Sequence, residues 1–385
     1  MHAPVFYDAS GKRRKWSIYV VSLLLFVVVL AGAVFAATLI EVPTPPSIVE
    51  TERPHPRPLS EQVRRIGHKI VNLRKWLPAQ ASQRGHARPV SVGFYAPWDD
   101  ASRISLQQHV GELDWVAPAL LSVAGPQHRL TRIPDARFDH LMQGLVVRPQ
   151  VLPMVQNAIN GQWDPQGAQH MLASPAARAQ LIADLTRELT AMRGNGVVFD
   201  IESLDHQGIR NYLQLIRETH AAFAPRHWLV TLAVPVDSNE WNLKAFANAS
   251  DRLFLMDYDE HEGASEPGPV ASQAWFVARL KQAVAQVGRD KAIVAVGNYG
   301  YDWTEGGGAE GRSVEEAWLI AHDSGAKIRF DQTSGNPTYD YQEDGKVHHV
   351  WLLDAASGWN QLRAAQAEGV GGVALWRLGM EDPSI

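Results

Sequence analysis

Short apolar runs, each bounded by turn residues or charges, recur from Val90 to the end of the chain. They fall at Val90–Ala96, Trp115–Ser122, Gln150–Val155, Gly196–Ile201, Trp228–Val234, Arg252–Met256, Ala292–Gly297 and Gly371–Leu375, and predict eight strands. Between most of them apolar residues return at helical spacing, which predicts helices at Pro175–Met192, Gln207–Phe223, Ser272–Val287, Ser313–His322 and Ala355–Glu368. Repeated strand-helix units imply a parallel sheet, and eight of them in about 250 residues predict an α/β fold closed as a (β/α)8 TIM barrel over residues 89–385. One excursion, Lys327 to Val350, reads as short strands around turns forming a lip beside the barrel mouth.

The N-terminal pattern differs. No charged residue interrupts Trp16 to Ile40, a run long enough for a helix to cross a bilayer core of about 30 Å. Lys12, Arg13, Arg14 and Lys15 precede it, so residues 1–15 are expected in the cytoplasm and residues 16–40 as a single transmembrane helix of the inner membrane. The barrel then lies on the periplasmic or extracellular side. A cleaved signal peptide with Ala31-Gly32-Ala33 as its cleavage site is the competing reading, against which the length of the apolar run weighs. Residues 41–88 begin as a proline-rich linker and continue with Leu59, Val63, Ile66, Ile70 and Leu73 at helical spacing among basic residues. That helix could touch anionic headgroups or pack on the following domain.

Composition narrows the chemistry. A formal net charge of -5 without a clustered basic face argues against nucleic acid as a partner. With no cysteine there is neither a disulfide framework nor a thiolate metal site nor a cysteine nucleophile, which leaves carboxylates and histidines. Thirteen tryptophans exceed what a core requires and suit surfaces that stack on flat ligands such as sugar rings. No glycine-rich phosphate loop follows any predicted strand.

In a barrel of this kind the working groups stand at the C-terminal ends of the strands. There the chain places Tyr95 and Trp98, then Gln156 and Asn157, then Asp200 and Glu202, then Asp257, Tyr258, Asp259 and His261, then Asn298, Tyr299 and Tyr301, and finally Trp376. Acids, amides and aromatics collect on one rim. Asp200 and Glu202, two apart, project to the same side, toward the barrel mouth. Unpaired carboxylates on so apolar a strand would cost several kcal/mol, so a functional use is the economical explanation. Asp200, Glu202, Asp257, Asp259 and His261 are enough ligands for a divalent ion, but no second histidine stands at a neighbouring strand end, and neither metal nor cofactor is expected.

These residues resemble the family 18 glycoside hydrolases. "GVVFDIE" at 196–202 is similar to their fourth-strand motif Asp-x-x-Asp-x-Asp-x-Glu, "MDYDEH" at 256–261 to their sixth-strand Met-x-Tyr-Asp, and "GVALWRLG" at 372–379 to the last strand with its tryptophan floor. The resemblance spans about Ser91 to Ile385. It implies that Glu202 is the general acid and that Asp200 holds it and orients the substrate's N-acetyl group. It further implies that Tyr258 positions the acetamido carbonyl, that Asp259 contacts the sugar and that Trp376 stacks beneath it. The nucleophile would be the substrate's own acetamide, an exception to the two-carboxylate scheme. Tyr95, Trp98, Asn157, Asp257 and Tyr299 complete the expected substrate-binding set.

The motif is incomplete. Its first two aspartates fall at Asn195 and Val198, so the inner carboxylate that shares a proton with Asp200 is missing, and Asp257 is expected to compensate in part. Basic N-terminus, membrane helix and barrel together resemble the leading segment of bacterial envelope proteins in which such a barrel precedes a polysaccharide deacetylase and a glycosyltransferase. The expected function is a membrane-anchored, chitinase-like hydrolase of a β-linked polysaccharide containing N-acetylglucosamine, with polysaccharide synthesis or export machinery as partner. The alternative is a catalytically weak glycan-binding barrel, which Val198 favours and Glu202 with Tyr258 and Asp259 disfavours.

Overall fold

The structure, a computed structural model, describes residues 88–124, 129–159 and 161–385. The expected cytoplasmic segment, membrane helix, linker and amphipathic helix before residue 88 lie outside the described residues. Among the described residues no helix is long and apolar enough to cross a membrane.

Eight strand positions carry the fold: β1 (Val90–Tyr95), β2 (Trp115–Pro118, resumed at Leu121–Ser122), β3 (Gln150–Val151, resumed at Met154–Gln156), β4 (Gly196–Asp200), β5 (Leu229–Pro235), β6 (Arg252–Met256), β7 (Ala292–Gly297) and β8 (Gly372–Trp376). Each pairs in parallel with the next, the two halves of β2 with the two halves of β3, and β8 pairs back onto β1. The pairings return to their starting strand, which makes the sheet barrel-like. The break in β2 follows Pro118 and the break in β3 includes Pro153, residues that offer the ladder no N–H donor.

Alternation along each strand divides the core into two shells. Phe94, Met154, Val198, Phe254, Ala295 and Ala374 pack inside the sheet. Val197, Phe199, Leu253, Leu255, Val294 and Val296 face outward onto the helices. Burial on both faces is why these strands read as nearly unbroken apolar runs. The helices that cover them start on side-chain caps: Ser174 accepts from Ala177 N–H ahead of Pro175–Met192, and Asp354 from Ser357 N–H ahead of Ala355–Glu368.

One predicted helix belongs elsewhere. Val314–Ser324 forms where the spacing places it, yet it packs on a separate five-stranded antiparallel sheet made of Gly300–Thr304, Ala309–Arg312, Arg329–Asp331, Asn336–Glu343 and Lys346–Leu352. Val314, Ala317 and Ala321 meet Tyr339, Val350 and Leu352 in a small core of their own. The lip expected between Lys327 and Val350 is therefore part of a larger inserted unit that starts at Gly300. Its first two strands are short and flank Gly306, Gly307 and Gly308, too weakly patterned to be read in the sequence.

Candidate active site

At the end of β4 the chain turns Asp200 into the barrel mouth above Val198. The β3–β4 register sets Gln156 directly opposite Asp200. From there the Gln156 amide donates to Asp200 Oδ2 at 2.8 Å, while the carboxyl groups of Asp200 and Glu202 hydrogen-bond each other. Asn157, fully buried, grips the Glu202 backbone from both sides: its Oδ1 accepts from Glu202 N–H at 2.9 Å and its Nδ2 donates to Glu202 O at 3.1 Å. The last residue of β3 and the one that follows it thus hold the Asp200 side chain and the Glu202 main chain.

The end of β6 supplies the facing wall. Tyr258 and Asp259 follow Met256, and Asp259 sits in the left-handed backbone region at φ 64°, which Asp tolerates better than most residues. Its carboxylate accepts from Tyr299 Oη and, at 3.3 Å, from Tyr301 Oη. Asp200, Glu202, Tyr258, Asp259 and Trp376 line a single cleft of about 410 Å³. Trp376 stands edge-on to Phe94, ring centroids 5.3 Å apart, and both border the same cleft.

Burial sets the protonation. Desolvation, reinforced by the Asp200 charge and the shared hydrogen bond and then by the charge on Asp259, pushes Glu202 up to about 8. Asp200 is pushed up to about 6 by burial, against which its hydrogen bonds to Gln156 and Glu202 work. Asp259 also rises to about 6 through desolvation, moderated by the hydroxyls of Tyr299 and Tyr301. Near neutral pH the arrangement is therefore a protonated Glu202 beside an ionised Asp200, a poised proton donor over an aromatic surface.

Other expected residues lie off the cleft. Tyr95 points outward, 2% exposed, with its hydroxyl on Asp135 at 2.6 Å and its ring stacked on Phe138; Phe94, one position earlier, faces the cleft. Trp98 is 61% exposed and does not border the cleft. Asn157 acts on the backbone, and Tyr299 supports Asp259 from behind. Asp257, between cleft-lining Met256 and Tyr258, necessarily faces the other way; it is fully buried and neither carboxylate oxygen has a hydrogen-bond partner among the described residues. It cannot replace the missing inner carboxylate, because strand alternation points it into the helix layer. His261 is engaged with the backbone of Glu266 at 3.0 Å. Conversely Trp163, Asp237 and Glu262 border the cleft without having been expected there, since they come from loops whose course no periodicity reveals.

The description of glycosyl hydrolases family 18 matches residues 92–381, from β1 to just beyond β8. The chain belongs to that family. Family 18 membership and the relatives that match the chain support a glycosidase. The "Uncharacterized glycosylase YvbX" of Bacillus subtilis (strain 168) is 27% identical over 337 residues, 81% of this chain and 97% of that protein. The cortical fragment-lytic enzyme of the same organism is 23% identical over 276 residues, 68% of this chain and 62% of that protein. The crystal structure of a chitinase from Chromobacterium violaceum ATCC 12472 is similar with a TM-score of 0.71 at 26% identity, covering 77% of this chain and 96% of that one. The chain spans 57% and 62% of the length of two of the curated relatives it matches, about three-fifths.

Proposed function

We propose that this family 18 glycosidase cleaves a β-linked polysaccharide containing N-acetylglucosamine by substrate-assisted, retaining hydrolysis. The observation that carries the reading is Glu202 buried against Asp200 in one cleft with Tyr258, Asp259 and Trp376, a setting that favours its protonated form. Glu202 gives its proton to the glycosidic oxygen as the bond from that oxygen to the anomeric carbon breaks. The substrate's acetamido oxygen, positioned by Tyr258 and with its nitrogen side facing Asp200, forms the new bond to the anomeric carbon. Glu202, now ionised, takes a proton from water, whose oxygen attacks the same carbon and reopens the ring. Asp200 stabilises the positive charge of the cyclic intermediate.

The apolar run at 16–40 supports an inner-membrane anchor with the barrel on the periplasmic or extracellular side, where an envelope or exported polysaccharide is within reach. A larger assembly with deacetylase and glycosyltransferase functions is part of the same proposal and rests on the resemblance of the N-terminal segment. Val198 supports a second reading, a glycan-holding barrel with little turnover, because it buries a methyl pair where the motif carries a carboxylate.

The test is product analysis by mass spectrometry after incubating the full chain in detergent with N-acetylglucosamine oligomers of β-1,4 and β-1,6 linkage, beside Glu202→Gln. Cleavage by the parent and loss of at least about two orders of magnitude in the variant is the expected result for a general acid. Binding without cleavage by either protein would leave the holding barrel as the function.

A further inference from the structure

The family motif places a second carboxyl group behind Asp200, and in this chain that position is Val198, fully buried among Phe254, Met154 and Ala295. Asp200 is nonetheless not left without a partner on that side of the mouth. The backbone register of β3 on β4 delivers Gln156 opposite it, and the side-chain amide closes to 2.8 Å. An ionised carboxylate only accepts hydrogen bonds, so the group facing Oδ2 is necessarily the NH2 end of the amide.

We propose that Gln156 is the positioning residue that replaces the missing inner carboxyl group, committing one oxygen of Asp200 as an acceptor so that its other oxygen holds the proton-bearing Glu202. The inference rests on the proposed roles of Asp200 and Glu202. A protonated carboxyl group and a primary amide present the same donor to a neighbour, but they differ in one respect. The carboxyl group donates only while it keeps its proton, whereas the amide donates at every pH in which the protein is folded. Gln156 therefore does without ionisation what the motif's paired acids do by sharing a proton. Its neighbour Asn157 has the matching task on the main chain, fixing Glu202 N–H and C=O, so that Gln156 at the end of β3 and the residue after it hold the Asp200 side chain and the Glu202 backbone.

Burial raises Asp200 and the Gln156 hydrogen bond opposes that rise. Loss of the amide hence lets Asp200 keep its proton to higher pH, and the vanished charge in turn eases Glu202 downward. Three measurements on the full chain in detergent test this. In Gln156→Leu the acidic limb of kcat/KM moves up by about one pH unit and kcat/KM at neutral pH falls about tenfold with KM near the parent's, the scale of a hydrogen bond to a charged group. In Gln156→Glu the new carboxyl group donates to Asp200 only while protonated, so activity survives on the acid side and falls off at lower pH than in the parent. The third readout needs no turnover: thermal unfolding of parent and Gln156→Leu across about pH 5 to 8. The gap between them widens as Asp200 ionises, because the amide stabilises only the charged form. A gap that stays constant with pH, or a Gln156→Glu profile identical to the parent's, would overturn the proposal and reduce Gln156 to a packing residue. Should the parent cleave no oligomer, the hydrolytic reading fails while the unfolding series still decides the role of Gln156.

Discussion

Asp200 and Glu202 face each other across a shared hydrogen bond at the end of one strand; burial raises both proton affinities, and the Asp200 charge with the shared hydrogen bond separates them, Glu202 rising to about 8 while the hydrogen bonds on Asp200 hold it to about 6. The pair titrates as a unit, so its working form, one proton on the Glu202 side, exists in the window between the two. The expected kcat/KM profile is a bell with its acidic limb near 6, where Asp200 takes up a proton, and its alkaline limb near 8, where Glu202 loses its own. A profile of initial rates on the oligomer that is cleaved checks this. An optimum below about pH 5 would mean that both carboxyls behave as exposed acids.

Trp376 contributes through contact area. Its ring is half-buried against Phe94, with the remaining face on the cleft. Trp376→Ala removes that face and opens the floor, and the expected cost is about tenfold or more in affinity, roughly 1.4 kcal/mol. Calorimetric titration of N-acetylglucosamine oligomers into Glu202→Gln with and without the tryptophan gives the number free of turnover. Unchanged affinity would take Trp376 out of the binding surface.

The parts that sequence alone revealed and the parts it hid divide along physical lines. Strands buried on both faces announce themselves as apolar runs, so β6 and β7 were legible to the residue. Helix Val314–Ser324 was equally legible as a helix, yet its spacing says only that one side is apolar and not which sheet it covers. Within the site, Asp200, Glu202, Tyr258, Asp259 and Trp376 stand at motif positions and meet in the cleft. Tyr95 was misplaced by a single residue, because strand-end parity depends on a register that pairing decides. Gln156 stood among the strand-end residues, but its partner is a matter of β3–β4 register. Trp163 lies on a loop hairpin, where no rule of alternation reaches.

Tyr95 and Trp98 separate site from scaffold experimentally. Tyr95→Phe loses a hydroxyl that is hydrogen-bonded to Asp135, which itself caps helix Ala136–Gly144. The expected loss is about 1 kcal/mol of stability with kcat/KM unchanged within about twofold. Trp98→Ala, at an exposed position away from the cleft, leaves both stability and glycan affinity near the parent's. Denaturant unfolding and oligomer titration on the two variants check these outcomes, and an affinity loss in either would extend the binding surface beyond β1.

Asp257 is where the fold retains a cost. Its carboxyl group is completely buried toward the helix side of β6, with no hydrogen-bond partner among the described residues, and desolvation drives its proton affinity well above the usual carboxylate range despite the attraction of Arg279 on helix Gln273–Val287. A carboxyl whose affinity for protons is higher in the folded than in the unfolded chain makes the folded state bind more protons between the two values. Stability therefore falls as pH rises from the unfolded value, about 4, toward the folded one, and the loss is absent below about 4, where both states are protonated. Asp257→Asn keeps the shape and removes the ionisation. The variant is expected to unfold about 3 °C or more above the parent at pH 8, the equivalent of about 1 kcal/mol in a domain of this size, and to converge on it near pH 4. Its kcat/KM stays at the parent's, because the side chain lies on the opposite face of the strand from Tyr258. A stability gap independent of pH would show instead that Asp257 ionises freely in the folded chain, with Arg279 as its counter-charge.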